Sequence, residues 1–135
     1  MSQENVEILR RAIQAFDRGD DEEWIAAWHP AAELHDFTEL PDVPQPYRGH
    51  DGIRRWAANV RSVLGDFRMA PHAFTQVGEA VLMEVQVRGV GEQSGVPVAM
   101  MVHVLAWFRG DKIVRTRAFL DRPTALEAAG LRRRG

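Results

Sequence analysis

Val98-Ala99-Met100-Met101-Val102-His103-Val104-Leu105-Ala106-Trp107-Phe108 decides how this chain must be arranged. A half-buried strand alternates apolar and polar side chains, because successive residues point to opposite faces of a sheet. Here Val98, Met100, Val102, Val104, Ala106 and Phe108 share one face. Ala99, Met101, Leu105 and Trp107 share the other, where His103 is the only polar side chain. A strand that is apolar on both sides needs cover on both. Helices can cover one. For the other, in a short chain, a second copy of the same sheet is the simplest cover, so a homodimer through the sheet face is expected.

The flanking segments extend the sheet. Val81, Met83, Val85 and Val87 alternate with Leu82, Glu84, Gln86 and Arg88, and the segment from Gly89 to Gly95 reads as a hairpin connection. Arg109-Gly110-Asp111-Lys112 turns the chain into a last strand, Ile113 to Leu120, so that everything from Phe67 to Leu120 reads as strands. The period changes towards the N-terminus. Val6, Leu9, Ile13 and Phe16 form one helical stripe, which Gly19 stops. A second, shorter helix carries Trp24, Ile25 and Trp28 and is expected to end at His29-Pro30. Glu33 to Asp36 is a short strand, and a proline-bearing loop (Pro41, Pro44, Pro46) follows. Ile53, Trp56, Ala57 and Val60 mark a third helix over His50 to Leu64, ended by Gly65, and a last short helix spans Pro123 to Ala129. Helices first and long antiparallel strands after them define an α+β domain over residues 1–131, with 132–135 a disordered basic tail.

Composition narrows the function. A chain of 135 residues, 45% of them hydrophobic, suffices for one core. A net charge of −2 argues against a nucleic-acid surface. Lys112 is the only lysine among 17 basic residues, a bias that fits a GC-rich bacterial genome. Without cysteine there are no disulfides or thiolate metal sites. Met1 to Arg11 has no apolar segment of the kind a signal peptide needs. The longest apolar stretch, Val96 to Phe108, is broken by Pro97 and His103 and falls short of the roughly 20 residues of a membrane helix. A cytoplasmic protein with no membrane partner is expected. His35-Asp36 and His50-Asp51 are sequence neighbours, which rarely converge on one ion, and no helical pair of histidines at metal-binding spacing exists. With no phosphate-cradling glycine loop either, the expectation is no metal and no cofactor.

Four segments in order carry a resemblance: Phe16-Asp17-Arg18-Gly19-Asp20, Trp28-His29-Pro30 with Glu33-Leu34-His35-Asp36, Tyr47-Arg48-Gly49-His50-Asp51-Gly52-Ile53, and Phe108-Arg109-Gly110-Asp111-Lys112-Ile113-Val114 before Phe119-Leu120-Asp121. Together they resemble the SnoaL-like group of the nuclear transport factor 2-like superfamily, which includes polyketide cyclases and ketosteroid isomerases. The likeness spans about Val6 to Leu131. It implies a cone-shaped, strongly curved, mainly antiparallel sheet wrapped around the N-terminal helices, a cystatin-like α+β barrel open at one end into a pocket. The superfamily includes isomerases, cyclases, dehydratases, epoxide hydrolases and plain binding modules, so fold alone does not give the reaction.

The resemblance implies specific residues. Counted without gaps from Gly19-Asp20, Asp36 falls where steroid isomerases carry their catalytic aspartate, a general base facing an apolar cavity. The isomerases' oxyanion-hole tyrosine falls on Ala12 and their protonated aspartate on or near Val104, so neither donor is present. The Arg-x-Asp of the fold's epoxide hydrolases meets Val102-His103-Val104 and does not match. His103, the one polar residue on an apolar face, is a second catalytic candidate, since dehydratases of this fold use a histidine with an aspartate; a structural role at the dimer seam is the alternative. His35 and His72 also lie on or beside strands, and His35 should point away from the cavity that Asp36 faces. Trp56 occupies an aromatic cavity position, with Trp28, Tyr47, Met83, Met100, Thr116 and Leu120 as further lining. Arg115 and Arg117 belong to an outer face. Such a lining suits a small, flat hydrophobic molecule. Two readings stay open: an isomerase, cyclase or dehydratase using Asp36 as general acid/base, or a non-catalytic dimeric module with a vestigial pocket.

Overall fold

The computed structural model describes residues 2–37 and 45–130. Pro41, Pro44 and the basic tail after Leu131 therefore lie outside the described residues. In chain order the elements are α1 (Ser2–Asp17), α2 (Asp21–Ala26), β1 (Trp28–His35), β2 (Tyr47–Arg48), α3 (Gly49–Val63), β3 (Leu64–Val77), β4 (Ala80–Gly91), β5 (Pro97–Arg109), β6 (Lys112–Phe119) and α4 (Arg122–Ala128).

The α1 stripe buries Leu9, Ile13 and Phe16, and Gly19 turns the chain at φ 79°, the left-handed region open to glycine. Asp20 caps α2 by accepting the Glu23 amide at 3.2 Å. Contrary to the sequence expectation, α2 stops at Ala26, and Trp28 opens a strand instead of closing a helix. The cause is tertiary. Lys112 Nζ donates to the Ala26 carbonyl at 2.6 Å and the Ile113 amide to Ala27 at 2.9 Å, so β6 takes the carbonyls that a longer helix would use. Pro30 is accommodated in β1 because the pairing with β6 shifts register between Trp28 and Glu33. Gly65 likewise does not stop α3 in a loop. Leu64 is already extended at φ −124° and the helix runs straight into β3.

One six-stranded sheet has the order β2-β1-β6-β5-β4-β3. Only β1 and β6 pair in parallel; the other neighbours are antiparallel. Helix α3 packs on β1 and β2 at one margin and on β3 at the other. Strands lie about 4.8 Å apart, so a flat sheet of this size would hold its margins roughly 24 Å from each other. A 15-residue helix that packs on one margin and runs straight into the strand at the other fits a sheet that curls around it. The result is a curved, unclosed cone, with α3 standing where strands would have closed the expected barrel.

The sheet has two apolar faces with different cover. The concave face, with Val81, Met83, Val85, Val102, Ala106 and Ile113, packs with α1, α2 and α3 into the main core. On the convex face Leu82 and Leu105 are completely buried with Ala125 of α4. Asp121 starts that helix by accepting the Thr124 amide at 2.8 Å, and Arg122 ties it to Glu84 at 2.9 Å. Part of the cover that the sequence assigned to a second copy thus comes from the chain itself. Met101, 38% exposed, is left outside it.

Candidate active site

Inside the cone lies a cavity of about 450 Å³, within the range of small-molecule sites. Its walls come from both kinds of periodicity. Strand alternation presents Met83, Val85 and Val87 from β4, Met100, Val102 and Val104 from β5, and Thr116 and Ala118 from β6; helix α3 adds Trp56, Asn59 and Val60. Trp28, Tyr47, Trp56, Met83, Met100 and Thr116 all line it, as does Asp36. Two expected residues are not brought there. His103 and Leu120 are absent from the lining, and Leu120 is 57% exposed. A second, more open depression of about 740 Å³ between α1, α2 and the β5–β6 turn is lined by Glu4, Arg11, Glu23 and Lys112 among others, and holds none of the anticipated catalytic residues.

Asp36 stands just past the end of β1. Its Oδ1 accepts the Phe37 amide at 2.8 Å and its Oδ2 the indole N–H of Trp56 at 3.1 Å. The Asp36 amide donates to Gln45 Oε1 at 3.3 Å. No cation pairs with this carboxylate among the described residues. Burial therefore dominates and pushes its carboxyl above the usual aspartate value, while the Phe37 and Trp56 hydrogen bonds pull the other way. Each oxygen keeps a lone pair beyond the one these donors use. A desolvated, oriented carboxylate in an apolar cavity can accept a proton from carbon and return it.

Three of the four tryptophans stand together. Trp24 lies 4.9 Å from Phe16, 5.5 Å from Trp28 and 5.9 Å from Trp56, centroid to centroid. Trp24 also lines the cavity; the sequence places it on the second helix without naming it as lining, and nothing in the α2 pattern separates core from pocket wall. The sequence reading also missed Asn59, whose Nδ2 donates to the Tyr47 hydroxyl at 3.2 Å. There a signal existed: a carboxamide three residues after Trp56 on the same helix face.

The histidines are placed elsewhere. His103 Nδ1 lies 3.0 Å from Glu84 Oε2 on the convex face. His35 borders the cavity, yet its Nε2 lies 3.2 Å from Glu33 Oε1. His72 is exposed at a register shift in β3. His50 Nε2 lies 2.8 Å from the Trp28 carbonyl. Ala12 and Val104 do line the cavity, so the places that resemblance gives to hydrogen-bond donors are apolar walls here. Among the described residues no three or more histidine, aspartate or glutamate side chains gather to hold a metal ion, and no helix is long and apolar enough to cross a membrane.

An open cone of curved sheet over three helices, with an aspartate at its inner cavity, is the fold that the sequence resemblance implies. The profile of the SnoaL-like domain matches residues 9–116, and the chain belongs to that family. Comparison with curated proteins finds no match. Among solved structures, TerC co-crystallized with polyporic acid superposes with a TM-score of 0.77 at 22% identity, over 94% of this chain and 98% of its own. An NTF2-like protein of unknown function from Burkholderia pseudomallei K96243 gives 0.75 at 20% identity, covering 92% and 95%. IdmH, a candidate polyketide cyclase from Streptomyces antibioticus, gives 0.73 at 19%, covering 93% and 96%. At these identities the likeness is one of fold.

Proposed function

We propose that this chain is a cofactor-independent enzyme that moves a proton beside a carbonyl group of a largely apolar small molecule, with Asp36 as general acid/base. One observation carries the reading. Among the described residues Asp36 is the one carboxylate in the wall of a mainly apolar cavity, held by Trp56 and raised by burial above the usual aspartate value. The Asp36 carboxylate takes a proton from the carbon next to the carbonyl, and the C–H electron pair moves to the carbonyl oxygen as an enolate. Returning the proton to another carbon of the conjugated system isomerises the substrate. Attack of the enolate carbon on a second carbonyl of the same molecule closes a ring, the new alkoxide taking the proton from Asp36; expulsion of a β-hydroxyl by the enolate, with that proton delivered to it, releases water and dehydrates the substrate. The fold's kinship with a candidate polyketide cyclase supports this group of reactions.

A second reading, a pocket that binds without reacting, is favoured by the apolar walls at Ala12 and Val104. Deuterium exchange separates the two. Enolisable aromatic ketones such as 2-acetylnaphthalene and 2-tetralone are incubated with protein in D2O and followed by mass spectrometry. Catalysed exchange that disappears in Asp36→Asn supports the enzyme. Binding, read by tryptophan fluorescence, with no exchange above the buffer rate supports the plain pocket.

We infer also that a second copy of the chain covers what α4 leaves open on the convex face. Met101 is exposed there. Arg115 and Arg117 lie over the Trp107 and Phe119 rings with no carboxylate partner among the described residues, and Glu33 is the cross-strand neighbour of Arg115 on β1. A two-fold axis through this face would set Met101 against its copy. Sedimentation at micromolar concentration should show a dimer that Met101→Asp dissociates. A monomeric wild-type protein would refute the pairing.

A further inference from the structure

The wall that lacks donors at positions 12 and 104 has one elsewhere. We propose that Tyr47 is the hydrogen-bond donor to the carbonyl oxygen of the substrate and to the enolate it becomes, with Asn59 as its positioning residue; this rests on Asp36 being the base.

Tyr47 is 3% exposed and lines the same cavity as Asp36. Its hydroxyl oxygen already accepts from Asn59 Nδ2. A hydroxyl that accepts at its oxygen keeps its own proton to give, and no acceptor for it is present among the described residues. Left unmatched in a buried wall, such a proton costs free energy that an incoming acceptor recovers.

The placement relative to Asp36 follows from two elements. Trp56 and Asn59 are three residues apart on α3, so they are neighbours on one helix face, about 5–6 Å apart at their Cβ atoms. Trp56 reaches Asp36 and Asn59 reaches Tyr47. On the sheet side, Tyr47 pairs with Leu34, two residues before Asp36. Base and donor are thus fixed on adjacent rungs between α3 and the β1–β2 pair, and both face one apolar space. That spacing fits a ketone whose carbonyl oxygen meets Tyr47 while the hydrogen on its neighbouring carbon faces Asp36. It specifies a substrate class: an enolisable ketone, or its vinylogue, on an apolar ring system. A carboxylate ligand is disfavoured, because its charge would face the Asp36 carboxylate, which has no cation partner among the described residues.

The test uses 2-acetylnaphthalene, which accepts hydrogen bonds and cannot donate them, with its carbonyl carbon-13 labelled for infrared difference spectroscopy. Bound to the wild-type protein, its carbonyl stretch should shift to lower wavenumber than in hexane. In Tyr47→Phe the shift should vanish, with affinity changed less than tenfold and exchange of the methyl hydrogens about 10²-fold slower. Asn59→Leu should retain the tyrosine but broaden the band and slow exchange about tenfold. A carbonyl stretch unchanged by Tyr47→Phe, an unshifted stretch in the wild type, or no binding of the ketone would each overturn the assignment. Asp36→Asn keeps the two ideas apart: it should slow exchange about 10²–10⁴-fold and leave the carbonyl shift in place. A shift without Asp36-dependent exchange would sink the base and keep the donor.

Discussion

The two faces of strand β5 lie one side chain apart and have different fates. Val98, Met100, Val102 and Val104 point inward and leave a cavity unfilled. Leu105 points outward and is completely buried under α4. Both faces are apolar, so hydrophobicity did not decide which would hold a ligand. Curvature did. The concave side encloses more space than its side chains and the helices fill, whereas a seven-residue helix is enough to seal part of the convex side. The titratable groups follow the same division. Asp36 sits inside with no cation against it among the described residues, and His103 sits outside with Glu84 at 3.0 Å and Arg122 beyond it.

The sharpest way to break this comparison is to exchange the roles of the two groups. Asp36→Asn should slow deuterium exchange of 2-acetylnaphthalene about 10²–10⁴-fold, the usual contribution of a positioned acid–base group. His103→Gln should leave it within twofold. Equal losses would mean that the convex histidine takes part in the chemistry. The next largest effect falls on stability. Leu105→Ala should cost about 2–5 kcal/mol in urea unfolding, the range for emptying a fully buried leucine site. Affinity for the ketone in the still-folded variant should stay close to wild type, because that core lies on the far side of the sheet.

Trp56→Phe sharpens the inner half. Its indole hydrogen bond lowers the Asp36 carboxyl, so removing it should move the acid limb of the pH–rate profile to higher pH. An unmoved limb would show that the titrating group in catalysis is not Asp36. The smallest effect is on stability against pH. Burial raises the Asp36 carboxyl above its ordinary value, so the native protein holds that proton to higher pH than the unfolded chain does. The stability it contributes is complete below the unfolded value and is lost as pH rises through the folded one. Asparagine has no such loss. The melting temperature of Asp36→Asn should therefore gain on wild type as pH rises across that window and then level. Asp17, which burial raises in the same direction, is common to both proteins and cancels in the difference.

Much of this division was legible in the chain. The doubly apolar β5, the alternation of β4 and the stripes of α1 and α3 each rest on periodicity, which sequence shows directly, and Met83 and Met100 do line the cavity. What escaped depended on partners distant in sequence. Trp28 reads as a helical tryptophan until Lys112 and Ile113 claim the α2 carbonyls from the far end of the chain. Leu120 follows the strand pattern of β6 but lies past its end, where the chain turns into α4. His103 carried two readings because one sequence cannot say which face of a curved sheet is concave. The Asn59–Tyr47 contact needed both the α3 face and the β2 register, and neither alone points to it.

Gly52 carries a consequence for how this molecule tolerates change. A Cβ built there would stand 2.8 Å from the Tyr47 carbonyl carbon, so even alanine cannot enter without prying the first turn of α3 away from β2. That turn begins the helix that bears both Trp56 and Asn59. The strand residues around the cavity are anchored one by one, and a methionine exchanged for a valine on β4 or β5 reshapes the space locally. A single methyl group at position 52 would displace together Trp56 and Asn59, the side chains that hold Asp36 and Tyr47. The walls of this pocket are free to drift towards new guests, while the short weld between Tyr47 and Gly52 is the part of the molecule with no slack.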